Sequence, residues 1–189
     1  MVAMATPNFN GSGFNEPEMD KPGIDELLAI KQEAARSVVN VDEPVIKLVI
    51  FALGERYFAF KGEWVREVVP GNHPLYFVPG MPASVEGVLN VRGTIESVIV
   101  LEPLLQLPEV KRGNKSSILL AKTPELHSGI RVDELIDIVD LPLAQLQTPP
   151  ESLPETLKPY VSALLSFSGQ AVILLDLEKV FADYQAGSG

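Results

Sequence analysis

Cysteine is absent from this 189-residue chain, which removes disulfides, thiolate nucleophiles and cysteine-ligated metal sites from consideration. A chain without disulfides suits a reducing compartment. Histidine is almost as scarce, at two residues. His73 lies in the turn Gly71-Asn72-His73-Pro74 and His127 opens a strand-like segment. Neither has the neighbours that a nucleophile, a base and an orienting third group require. Basic residues are also few: 15 Lys and Arg against 25 Asp and Glu leave a formal charge of −10. Binding to a phosphate backbone depends on clustered cations that release counterions, so nucleic acid is not an expected partner. An acidic surface favours solubility and association with basic patches.

Long apolar runs are missing too. Lys47 and Gly54 interrupt the first strong run, and Glu96 and Glu102 bracket the next, whereas a membrane helix needs roughly 18 or more apolar residues. Met1 to Asn15 holds Gly, Asn and Pro instead of the basic start and apolar stretch of a signal peptide. The expectation is a cytoplasmic protein with no membrane insertion. Phosphate loops and dinucleotide fingerprints are absent, since Gly11-Ser12-Gly13 follows no strand. The carboxylate pairs Asp133-Glu134 and Asp176/Glu178 fall at strand ends or helix starts, where such groups cap or face water. No catalytic, cofactor-binding or metal-ligating residue is expected.

What is present is enough for a core: 46% of residues are hydrophobic and 21% charged, an ordinary globular balance. Residues 1–43 read as a Gly- and Pro-containing tail plus an amphipathic helix at about 24–39, with Leu27, Leu28, Ala34, Ala35, Val38 and Val39 near helical spacing. That helix either docks on its own domain or binds a partner. After Pro44 the texture is that of short strands: Val45–Leu53, Arg56–Phe60, Val65–Val69, Ser84–Val91, Thr94–Leu101, Ser116–Ala121, His127–Val132, Ile136–Val139, Val161–Phe167 and Gln170–Leu175. Each is bounded by Gly, Pro, Asn or Ser, as in barrels or sandwiches. Glu102–Leu107 and Asp176–Tyr184 read as short helices that follow strands, and residues 185–189 as a flexible tail.

The strands repeat. At an offset of 76 residues Gly93 meets Gly169, Leu89 meets Leu165, Val98 meets Leu174, Leu101 meets Leu177, and Leu104-Leu105 meets Val180-Phe181. Upstream, an offset of 70 lays Val65-Arg66-Glu67-Val68-Val69 over Leu135-Ile136-Asp137-Ile138-Val139, and Pro79 over Pro149. Two copies of one unit are expected, each too small to bury much alone. Their seam would form a groove. Within the first copy runs Pro79-Gly80-Met81-Pro82, then Val85-Glu86-Gly87-Val88-Leu89-Asn90-Val91-Arg92-Gly93. Here Asn90 and Gly93 suit a tight turn. Arg92 either solvates its tip or offers a rigid fork to a partner's carboxylate or carbonyls.

These stretches, with Phe51-Ala52-Leu53-Gly54, Tyr57-Phe58-Ala59, Gly129-Ile130-Arg131-Val132-Asp133 and Leu174-Leu175-Asp176-Leu177, resemble the CheW-like domain family of chemotaxis adaptors over about Val45 to Phe181. The resemblance implies a mostly β fold of two pseudo-symmetric five-stranded SH3-like barrels, intertwined within residues 44–184. It implies a non-enzymatic signalling adaptor that couples the cytoplasmic tip of a methyl-accepting chemoreceptor to the regulatory domain of a CheA-type histidine kinase. The pathway would be chemotaxis or pilus and surface motility. Carried over by position, Val65, Glu67, Val68, Asn90, Arg92 and Gly93 are the partner-binding candidates, and the groove between barrels would take a receptor's helical hairpin. The chain departs from the family where Glu96-Ser97-Val98-Ile99-Val100-Leu101 lacks the usual Pro and terminal Asp, and in the segment before Val45. It is expected to be a divergent member. The alternative is a small-molecule-binding or enzymatic β-barrel, whose sign would be an enclosed pocket with converging polar groups.

Overall fold

In the segment Val45–Leu53 every residue from Leu48 onward is buried, which a strand with one wet face cannot achieve. The structure, a computed structural model, describes residues 43–108 and 113–187. The expected tail and helix before residue 43 lie outside the described residues. Ten strands form: β1 Val45–Leu53, β2 Arg56–Lys61, β3 Val65–Pro70, β4 Val85–Val91, β5 Thr94–Val100, β6 Ser117–Lys122, β7 His127–Val132, β8 Glu134–Pro142, β9 Val161–Phe167 and β10 Gln170–Leu175. Among the described residues two α-helices, α1 Glu102–Leu105 and α2 Leu177–Gln185, each follow a strand.

The strands make two five-stranded sheets, ordered β8-β1-β2-β10-β9 in barrel I and β3-β6-β7-β5-β4 in barrel II. Each barrel therefore mixes the two copies of the repeat. β1 and β2 of the first copy sit with β8 to β10 of the second, and the remainder make barrel II. The parallel joints correspond as well: Leu174 pairs with Ala59 in one sheet and Val98 with Gly129 in the other. The four residues are related by the same offsets, and burial along β4 recurs position for position along β9. The turns Arg92-Gly93 (φ 51° and 88°) and Ser168-Gly169 (φ 49° and 77°) share one left-handed geometry, the tight hairpin form whose twist matches its strands.

Two-sided burial explains the continuous apolar runs. Val49, Phe51 and Leu53 of β1, Phe58 and Phe60 of β2, Leu119 and Ala121 of β6, and Ile130 and Val132 of β7 meet in one central core. The alternate residues Leu48, Ile50 and Ala59 fill barrel I, and Ile118 and Leu120 fill barrel II. Leu104 and Leu105 of α1 and Val180 and Phe181 of α2 cap the central layer. Asp176 precedes α2 and its carboxylate accepts the Lys179 N–H at 3.3 Å, a side-chain cap on an otherwise unpaired donor.

Two elements differ from the sequence expectation by more than one residue at an end. β8 extends beyond Ile136–Val139 because it pairs with β1 from Val45↔Pro142 to Ala52↔Glu134. The acidic residues that resemble loop stand on an edge strand, with Lys47 Nζ 3.2 Å from Asp140. α1 stops at Leu105, where Gln106 turns left-handed at φ 51°.

Phe58 is fully buried and stacks on Phe51 at a centroid distance of 6.1 Å. Phe58→Ala is expected to cost about 3–5 kcal/mol, read as a lower urea midpoint; a shift under about 1 kcal/mol would contradict the central-core assignment. Tyr160 donates its hydroxyl to Asp183 Oδ2 at 2.7 Å, tying the segment before β9 to α2. Burial first, then that hydrogen bond, pushes its pKa up from 10.0 to about 12. The unfolded chain ionises at the lower value, so stability from Tyr160 is complete below pH 10 and is lost as pH rises towards 12. Tyr160→Phe should therefore show a shallower alkaline loss of stability in urea titrations between those pH values, and parallel profiles would count against it.

Candidate partner-binding face

β3 and β4 lie at opposite ends of the barrel II sheet, and among the described residues side chains link β3 to the β4–β5 hairpin where no ladder does. Neighbouring residues of β3 cross to the β4–β5 hairpin. Arg66 Nη2 donates to Glu96 Oε1 at 2.6 Å, and Arg92 Nη2 donates to Glu67 Oε1 at 3.0 Å. The β3 bulge between Val65 and Glu67 lets the adjacent side chains Arg66 and Glu67 both address the same mouth. Arg92 is 81% exposed and Glu67 34%, so this pair is a solvated one.

Of the six expected contact residues, Glu67, Asn90, Arg92 and Gly93 are gathered at this mouth. Asn90 Oδ1 accepts the Gly93 N–H at 2.8 Å, and its carbonyl lies 3.3 Å from His73 Nε2. Asn90 thus shapes the turn, as expected of it, and Arg92 stands exposed at the hairpin tip, paired with Glu67. Val65 and Val68 are half-buried and pack against the central core, which leaves only their outer edges accessible. Ile95, paired with Asn90 across the hairpin, is 61% exposed.

Sequence reading missed three elements here. Glu96 is an inward carboxylate, 6% exposed; its signal was its parity with Val98, which fills barrel II. Arg131 is 5% exposed and closes the same barrel elsewhere, donating Nε and Nη2 to Glu86 at 2.7 and 3.2 Å and Nη1 to the Gly71 carbonyl at 2.7 Å. Such a bidentate arrangement, with all three guanidinium nitrogens donating, is what a buried guanidinium requires. Tyr76 and Phe77 stand 62% and 79% exposed in the connection after β3, held there by the backbone bridge of Tyr76 to Val88.

A cleft of about 630 Å³ opens where the two barrels meet, between the β1–β2 turn and the segments flanking β6 and β8. Ala52, Leu53, Leu107 and Pro108 give it apolar lining; Glu55, Arg56, Lys115 and Glu134 are among its charged residues. Lys115 donates to Glu134 at 2.8 Å, and this carboxylate raises the lysine pKa through the hydrogen bond and its charge. Asp133 Oδ2 accepts the Gly54 N–H at 2.6 Å, fixing the β1–β2 turn. Among the described residues no three His, Asp or Glu side chains are grouped to hold a metal ion, and no helix is long and apolar enough to cross a membrane.

With this geometry in view, comparison with known proteins gives a consistent result. A probable chemotaxis protein CheW of Rhizobium etli is 25% identical over 150 residues, covering 79% of this chain and 96% of that protein. The chemotaxis protein CheW of Bacillus subtilis is 22% identical over 134 residues, covering 71% and 85%. The crystal structure of the scaffolding protein TtCheW from Thermoanaerobacter tengcongensis superposes with a TM-score of 0.65 at 22% identity, covering 73% of this chain and 93% of that one. The CheW-like domain profile matches residues 47–185, a span that takes in both barrels and the mouth just described, and the chain belongs to the CheW-like domain family.

Proposed function

We propose that this protein is a non-enzymatic cytoplasmic adaptor that couples a chemoreceptor to a CheA-type histidine kinase, in chemotaxis or in pilus or surface motility. The relatives named as chemotaxis and scaffolding proteins support the class of function. The observation that carries the site is the Glu67–Arg92 pair, which joins a sheet edge to a hairpin tip in one exposed, rigid face. Val65, Glu67, Val68, Asn90, Arg92 and Gly93 make up this kinase-contact face. The arginine's planar fork suits a carboxylate or backbone carbonyls, and half-buried Val65 and Val68 supply apolar edges.

Exposed ion pairs of this kind contribute about 0–1 kcal/mol to stability, so removing them should spare the fold. Arg92→Ala and Glu67→Lys are each expected to weaken binding to the kinase regulatory domain about tenfold or more, an effect of about 1.4 kcal/mol, with melting temperatures essentially unchanged. Normal affinity in both variants, measured by titration calorimetry, would refute the face.

The receptor tip is assigned to the cleft between the barrels, where apolar lining with a charged rim suits an amphipathic helix. The absence of native cysteine makes this accessible to a single probe: Arg56→Cys places one thiol at the cleft. Receptor tip in excess is expected to slow labelling of that thiol severalfold, and an unchanged rate would argue for another receptor site.

A further inference from the structure

Glu96 is a carboxylate on the inward face of β5, and the structure shows what it does. It stands on the same side of β5 as Val98, inside the mouth of barrel II, 6% exposed. One carboxylate oxygen accepts Arg66 at 2.6 Å; the other, Oε2, has no hydrogen-bond partner among the described residues. Burying a carboxylate is costly even when it is paired, and a buried oxygen without a donor adds to the cost.

The fold itself supplies the control. By the repeat, barrel I carries Ile136 where barrel II has Arg66, and Val172 where it has Glu96. Both belong to the apolar interior of barrel I, Val172 being fully buried. The same architecture therefore closes its mouth with an aliphatic pair in one barrel and an ion pair in the other. Replacing a buried ion pair by well-packed apolar residues is commonly neutral or stabilising, so stability does not account for Arg66 and Glu96.

Their exposures indicate what does. Arg66 is 41% exposed while its counterion is sealed beneath it, and of its five N–H donors only those on Nη2 are engaged among the described residues. Arg92, linked to the neighbouring Glu67, is 81% exposed. In a chain of net charge −10 this mouth turns two guanidinium groups outward and holds a carboxylate inward. We infer that Glu96 is a positioning residue that holds Arg66 as a second recognition fork beside Arg92, and that the pair selects a kinase surface presenting carboxylates. This rests on the kinase-contact reading of the same face and extends it to the charge that the partner must bring.

The test copies the twin barrel: the double variant Arg66→Ile with Glu96→Val, and separately Arg66→Lys. Each is compared with the wild type for thermal stability and for affinity to the purified kinase regulatory domain over a series of salt concentrations. The double variant is expected to melt at or above the wild-type temperature, bind at least tenfold more weakly, and show a flatter salt dependence. Arg66→Lys, which keeps the charge and loses the planar fork, is expected to bind several-fold more weakly. Wild-type affinity in either variant would overturn the inference. So would a double variant that unfolds or melts well below the wild type, because the ion pair would then belong to the fold. Failure of the wild type to bind the kinase domain is distinct from these outcomes: it would remove the kinase-contact reading and this inference with it.

Discussion

The central layer between two curled sheets, with Phe51, Phe58, Phe60 and Phe181 buried within it, holds the rest of the molecule in place. Neither barrel has an interior large enough to stand alone. Barrel II encloses Leu89, Val98, Ile118 and Leu120 as its buried apolar cluster, and so small a core cannot offset the chain entropy of its five strands. Neither copy of the repeat can separate from the other either, because each sheet draws strands from both. Burial and topology thus enforce one cooperative unit. An adaptor needs this property: the proposed face on barrel II and the proposed cleft where the barrels meet keep a fixed relation only when the layer between the barrels is dry and close-packed.

Most of the elements were legible in the sequence, for local reasons. Gly54-Glu55, Arg92-Gly93 and Ser168-Gly169 mark hairpin turns that need left-handed backbone, and each is flanked by β-branched and aromatic residues. The repeat was legible because equal burial selects equal residue types, as along β4 and β9. The exchange of strands between the copies left no such local trace. It is made by the parallel joints β2–β10 and β5–β7, which couple residues far apart in the chain, and a strand's own sequence does not name its neighbour. β8 was read too short because Glu134 and Asp140 at its two ends look like loop residues, although charge is what protects an edge strand from pairing with another chain.

The candidate face was half legible. Glu67 and Arg92 could be placed by their motifs, and the structure brings them to 3.0 Å. Val65 and Val68 belong as much to the core as to the surface, a consequence of two-sided burial that single-strand patterning does not reveal. Glu96 looked like a stray charge beside a turn because charged residues are usually solvated. Its inward direction followed from strand parity, but its partner Arg66 lies 30 residues away and only the folded barrel joins them.

The two barrels share a framework and differ in how they are closed, and that difference separates stability from recognition. Barrel I is packed with aliphatic side chains at the positions where barrel II has Arg66 and Glu96, and barrel II adds the buried Arg131, paired with the partly exposed Glu86. Ion pairs at such positions contribute less to folding than apolar contacts of similar volume. Barrel II therefore depends on the central layer for stability more than barrel I does. What the exchange provides is direction: aliphatic contacts tolerate small rotations, whereas a guanidinium gripped by a buried carboxylate points its remaining donors one way. A duplicated fold can bear this asymmetry because the shared core stabilises both copies together, leaving one mouth free to carry the charges that we propose a partner reads.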